Sequence, residues 1–129
     1  MKYDKQKVKE FKKLVKAAFK ELRDRGFVAR MNFACCSTCG SYELSEIATD
    51  QRLEKVAFYH NQDEDTLLSS GELSVRYFSM NEDKDRTADT LVGSEVFDML
   101  RKHGVYAEWE RNPNVVIKAF IEGYNTSNL

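Results

Sequence analysis

From residue 4 to residue 25, apolar side chains recur at steps of three and four: Val8, Phe11, Val15, Ala18 and Leu22, with Leu14 and Phe19 widening the stripe. That repeat predicts an amphipathic helix with one buried face. Gly26 stands where such a helix stops, and Lys20, Arg23 and Arg25 lie where the helix dipole favours cations. The period then drops to two. Phe27, Ala29, Met31 and Phe33 alternate with Val28, Arg30 and Asn32, which predicts a strand over 27–33. A short helix is expected over 41–51, with Leu44, Ile47 and Ala48 inward, then a strand over 55–60. Residues 61–70 are polar and acidic, with room for one helical turn around Leu67 and Leu68. The clearest alternation is 72–80, where Leu73, Val75 and Tyr77 oppose Ser74, Arg76 and Phe78. After a charged loop at 81–86, Ala88, Leu91, Val92, Val96, Met99, Leu100 and His103 mark a second long helix over 87–103, stopped by Gly104. Residues 105–110 and 115–121 flank Arg111-Asn112-Pro113-Asn114 and read as a hairpin.

These elements fit one domain over 1–129: a basic amphipathic helix at 1–26, a body at 27–121 and a fraying tail at 122–129. The expected class is α+β. It is a mostly antiparallel sheet of four to five strands, with two long helices and one short helix packed mainly on one face. The strand order stays open. Eight Phe, six Tyr and one Trp within a 42% hydrophobic chain can fill one core, which excludes a disordered protein. No apolar run approaches the ~20 residues of a bilayer span, and Met1–Lys20 is too charged for a secretory signal.

Net charge is −1, yet the charges are segregated. Residues 1–25 carry ten Lys or Arg against four Asp or Glu, and residues 26–129 carry ten against seventeen. The basic helix suits solvation, contact with a second copy of the chain, or an anionic ligand. The acidic total, and a lysine stripe without interleaved aromatics, disfavour nucleic acid. The expected partners are a small ligand or a protein, with a homodimer as the expected assembly and no membrane.

The three cysteines, Cys35, Cys36 and Cys39, are odd in number and crowded, unlike a disulfide framework. A cytoplasmic, reducing location with free thiols is expected. Three chemistries compete for them. Cys36, Cys39 and His60 supply three zinc-type ligands, with Cys35 or Asp63 as a fourth, although one C-x-x-C is half a zinc knuckle. A strand, then Cys36-Ser37-Thr38-Cys39, then a helix matches the context of a thiol oxidoreductase. The hydrolase variant uses a cysteine nucleophile, His60 as base and Asp63 to orient it. Otherwise the cysteines pack under the sheet as small apolar groups while His60, Gln62 and Asp63 cap the next turn, with Asp63 as N-cap. Arg30, Asn32 and Arg76 are candidates to line an anion-accepting groove. No phosphate-cradling glycine loop, calcium loop or serine nucleophile elbow is present. With no complete catalytic set, the expectation is a small non-catalytic binding or sequestering protein without a cofactor, for an anionic ligand or a protein partner. The alternatives are a cysteine-dependent hydrolase, a thiol oxidoreductase or a zinc-stabilised interaction domain. The candidate site comprises Arg30, Asn32, Cys35, Cys36, Cys39, His60, Gln62, Asp63 and Arg76.

Several segments together resemble a known family. They are Asn32-Phe33-Ala34-Cys35-Cys36-Ser37-Thr38-Cys39-Gly40, Phe58-Tyr59-His60-Asn61-Gln62-Asp63 and Gly71-Glu72-Leu73-Ser74-Val75-Arg76-Tyr77, followed by Val92-Gly93-Ser94-Glu95-Val96, Leu100-Arg101-Lys102-His103-Gly104 and Trp109. The set is similar to a bacterial family of small domains of unknown function that pair a Cys-Cys-x-x-Cys cluster with a downstream Tyr-His-x-Gln-Asp run. The likeness spans roughly 27–120, and the cysteine run is its most specific part. Where a tight glycine turn is expected after Trp109, this chain has Glu110-Arg111-Asn112-Pro113. The resemblance implies an architecture and a site, and no activity.

Overall fold

The computed structural model describes residues 4–81 and 83–122, so the expected tail beyond Glu122 lies outside the described residues. The chain runs α1 (Lys5–Asp24), β1 (Phe27–Arg30), α2 (Ser37–Gln51), β2 (Lys55–Phe58), α3 (Asn61–Ser70), β3 (Glu72–Ser79), α4 (Thr87–Lys102), β4 (Tyr106–Glu108) and β5 (Ile117–Phe120). The α+β class is as the sequence predicts. The helix count is corrected from three to four, because 61–70 folds as a full helix rather than a single turn. His60 caps that helix and Gly71 ends it in a left-handed conformation, so local capping makes up for its weak apolar stripe.

The sheet order is β1-β2-β3-β5-β4. Three of its four pairings are antiparallel, and β1 pairs with β2 in parallel, so the sheet is mixed. Parallel neighbours need a crossover, and α2 provides it. The helices pack mainly on one face, as expected, and the crossover helix is the exception. α1 and α4 cover one face, where Phe11, Val15, Phe19, Leu22, Val96 and Leu100 meet Phe27, Ala29, Ala57, Val75 and Ile117. α2 lies on the other face, where Leu44 and Ala48 meet Val28, Val56 and Phe58. β1 is therefore buried on both faces, with only Arg30 half-exposed, as expected for a parallel strand between two layers. It is also shorter than predicted, because Asn32 and Ala34 adopt positive φ (51° and 69°) and turn the chain out of the sheet.

The long helices hold the registers their stripes predict. Val8, Phe11, Val15, Ala18, Phe19 and Leu22 are buried on α1. On α4, Val92, Val96, Met99 and Leu100 are buried, whereas Leu91 stands 63% exposed. Glu21 ties the two helices together, accepting from Lys102 at 2.7 Å and lying 2.9 Å from His103 Nε2. Hydrogen bonds from Lys102 and then His103 pull its carboxyl down to about 2.

The hairpin forms as predicted, but its return strand inserts between β3 and β4. Its long loop is fastened to the core by Trp109 and Tyr77, whose rings meet edge to face at 5.3 Å. Trp109 Nε1 donates to Tyr77 Oη at 3.0 Å, and that hydroxyl donates to the Val115 carbonyl at 2.7 Å. A side chain at Gly93 of α4 would collide with both rings, since a Cβ there would lie 2.7 Å from Trp109 and 2.7 Å from Tyr77. Gly93→Ala is expected to destabilise the fold by about 1–3 kcal/mol in denaturant unfolding, despite alanine's better helix propensity. An unchanged midpoint would show that this ring pair moves freely.

Candidate functional site

Two places in the fold gather polar chemistry, and both depend on α2. The first is its amino end. The turn after β1 is fastened to the start of α3: Phe33 N donates to the Tyr59 carbonyl at 2.9 Å and Asn61 N to the Ala34 carbonyl at 2.9 Å. The Asn61 side chain donates to the Asn32 carbonyl at 3.2 Å and to its Oδ1 at 2.7 Å. This clamp delivers Cys36 to the N-cap of α2 and Cys39 to its first turn. The Cys35, Cys36 and Cys39 sulfurs lie within 4.8 Å of one another, and Cys35 Sγ is 3.6 Å from Cys36 Sγ. All three are free thiols; Cys35 and Cys39 are exposed and Cys36 is half-buried.

This placement corrects the packed-cysteine expectation, because the sulfurs face outward while Leu44 and Ala48 fill the space beneath α2. The Cys36 sulfur makes no full capping hydrogen bond as a thiol. Its thiolate is nevertheless favoured, first by the Cys39 N–H and then by the Cys35 and Cys39 thiols, so its pKa falls below the ordinary value. The Cys39 thiol, donating to sulfurs that would repel its own charge, is pushed up to about 11.

His60 does not belong to this cluster. It is 3% exposed and forms a reciprocal cap with Asp63: its Nδ1 accepts from Asp63 N at 3.3 Å, and Asp63 Oδ2 accepts from His60 N at 3.1 Å. His60 is thus the N-cap of α3 and Asp63 its third residue, which reverses the role expected of Asp63. Arg76 holds the same carboxylate in a fork, with Nε at 3.0 Å from Oδ2 and Nη2 at 3.1 Å from Oδ1. A Cys–His–Asp triad is therefore not assembled, nor is the Cys36, Cys39 and His60 ligand set.

The second place is a cleft of about 460 Å³ beside α2. Ser37, Ser41 and Ser45 form one wall at helical spacing, with Tyr42 at its edge; Phe58, Arg76 and Phe78 form the floor; Arg86 and residues 113–116 form the far wall. Arg86 uses Nε on Asp89 at 2.8 Å and Nη1 on the Asn114 side chain. Of the predicted groove residues, only Arg76 lines this cleft. Arg30 bonds the neighbouring Ala29 carbonyl at 3.2 Å, Asn32 serves the clamp, and Gln62 is exposed on the first turn of α3. The serine wall and Arg86 escaped the sequence reading. Their one signal is the i, i+4, i+8 serine spacing, which becomes legible once helix 41–51 is extended back to residue 37. The basic helix has its own destination: Lys5, Lys9, Lys12, Lys13 and Lys16 rim a groove of about 640 Å³ with Val8, Met31 and Leu68, and Lys12 pairs with Glu64 at 2.6 Å. No helix among the described residues is long and apolar enough to cross a membrane.

Residues 5–122 match a family model described as a domain of unknown function (DUF6891). The chain belongs to that family. The match takes in α1, which the sequence resemblance at 27–120 left out. No curated protein and no solved structure matches the chain.

The cap makes stability sensitive to pH. Burial lowers the His60 pKa, against the pull of Asp63, and a proton on Nδ1 would abolish the acceptor that caps α3. The unfolded chain thus takes up a proton that the folded chain resists. Stability is full above the ordinary histidine value of about 6.5 and declines as pH falls through it toward the lower folded value. Glu21 acts in a separate range, since its contribution is lost only below the ordinary carboxylate value. Guanidinium unfolding at pH 7.5 and 5.5 is expected to show a drop in stability that His60→Asn, which retains a capping acceptor, reduces. Equal drops in both proteins would remove His60 as the cause.

Proposed function

We propose that the protein is a small, non-catalytic binding domain that holds an anion with a flat apolar body in the cleft beside α2. The carrying observation is the pair of arginines whose guanidinium groups are fixed in place by carboxylates. Arg76 spends Nε and Nη2 on Asp63, and Arg86 spends Nε on Asp89 and Nη1 on Asn114. Each retains one terminal nitrogen that makes no hydrogen bond among the described residues. An arginine held by its own acid loses less rotamer freedom when it meets a ligand. Phe78 supplies an apolar floor with Phe58 buried beneath it, and Ser37 and Ser41 add hydroxyl donors, the Ser45 hydroxyl being spent on the Ser41 carbonyl at 2.7 Å. A few polar groups around an apolar pocket of several hundred Å³ is the usual form of a small-molecule site. Free thiols beside the cleft suit a reducing compartment.

Calorimetric titration with 2-naphthyl phosphate tests this function. Binding is expected in the unmodified protein, and both Arg86→Gln and Ser41→Leu are expected to weaken it about tenfold, a loss of roughly 1.4 kcal/mol. Uncharged 2-naphthol binding equally well, or both variants binding as the parent does, would overturn the proposal.

A further inference from the structure

The geometry of the α2 amino end points to a second site, independent of the cleft. We propose that Cys35, Cys36 and Cys39 bind one soft d10 metal ion, Cu(I) in kind, through three sulfurs. None of the three cysteines lines the cleft, so neither site rests on the other.

Spacing is the first support. Three sulfurs at about 2.3 Å from one ion stand about 3.8 Å apart in tetrahedral geometry and about 4.0 Å apart in a trigonal plane. The cluster already holds all its sulfurs within 4.8 Å, with Cys35 and Cys36 at 3.6 Å. Closing on an ion requires side-chain adjustments of less than about 1 Å by this comparison. Rigidity of the frame is the second support. Residues 32–34 are clamped to Tyr59 and Asn61 by the four hydrogen bonds described above, and Gly40 N donates to the Cys36 carbonyl at 3.0 Å to begin the helix. Gly40 also lets this turn lie close on Phe58, where a Cβ would stand 2.6 Å from the ring. The ligands therefore hang from a fixed backbone, and binding has little chain to order.

The donor set selects the ion. Among the described residues the cluster contains sulfur alone, without imidazole or carboxylate. His60 is committed to capping α3, and His103 lies 2.9 Å from Glu21 at the far ends of α1 and α4. All-thiolate sites favour the softest ions, and zinc sites are almost always completed to four ligands. Three sulfurs with nothing to complete a tetrahedron fit a three-coordinate ion better. Exposure of Cys35 and Cys39 leaves the ion reachable from solvent, which suits uptake and handover rather than a sealed structural site. The chemistry is ligand exchange: the ion replaces the three thiol protons, which leave to solvent, three metal–sulfur bonds form, and no electron is transferred. The tris-thiolate complex carries a net negative charge, which the amino end of α2 stabilises through its dipole.

The test is anaerobic titration of the full chain with Cu(I) supplied as its bicinchoninate complex, read by loss of dye colour and by mass spectrometry after thiol alkylation. One ion per chain is expected, and that single ion is expected to shield all three thiols from alkylation. Cys35→Ser, Cys36→Ser and Cys39→Ser are each expected to lose at least about tenfold in competition with the chelator, with Ser69→Ala, exposed at the far end of α3, unchanged. Cys35 and Cys39 are exposed, so their variants retain the fold, which unfolding curves verify. Full affinity in Cys35→Ser would reduce the site to two sulfurs and overturn the proposal. So would Zn(II) displacing Cu(I) at equal concentration, two or more ions per chain, or failure to draw copper from the chelator.

Discussion

The parallel pairing of β1 with β2 is the constraint on which the rest of the molecule turns. Two parallel neighbours cannot be joined by a tight turn, so the chain leaves one end of the sheet, crosses it and re-enters from the other. α1 and α4 already occupy one face, so the crossover runs over the other. Three consequences follow from this single path. β1 becomes a strand buried on both sides. The start of the crossover helix falls where the chain turns out of β1, which collects Cys35, Cys36 and Cys39 around its amino end. The crossover helix covers only β1 and β2, so its outer wall borders uncovered sheet and creates the cleft.

The polar residues around α3 hold this layout together. His60, Asp63 and Arg76 come from the end of a strand, the first turn of a helix and the middle of another strand, and one carboxylate links them. A buried carboxylate that accepts from an arginine fork and a backbone N–H is well compensated for its lost hydration. That arrangement fixes the start of α3, and with it Asn61, whose side chain and backbone clamp the cysteine turn. Removing the histidine from the sulfur cluster leaves that cluster with a single kind of donor. The two proposed sites therefore differ in character. One offers hydrogen-bond donors already oriented by carboxylates, and the other offers soft sulfur donors on a clamped turn.

Much of the architecture was legible before any coordinates. The stripes on α1 and α4, the alternation in β3 and the final hairpin are local patterns, and burial of one face forces each to be read in one way. The 61–70 helix was not legible as a helix. Its only buried side chains are Asp63 and Leu67, and its stability comes from the His60 cap, which no periodicity reveals. The outward orientation of the cysteines was not legible for a related reason: cysteine is a frequent core residue, and the sequence does not show that Leu44 and Ala48 already occupy the space beneath α2.

What the chain determined by itself is which residues share a face: Val8 with Phe11 and Val15, Leu73 with Val75 and Tyr77, and three thiols within five positions. It also contained both halves of the His60 and Asp63 cap, because a residue and its neighbour three positions on meet at any helix start. Only the tertiary structure decided which faces meet. Periodicity specifies that a surface must be covered, not by what, and the side of the sheet taken by the crossover is settled when the layers pack. That choice placed Arg86 opposite the serines of α2 and kept the imidazole out of the sulfur cluster.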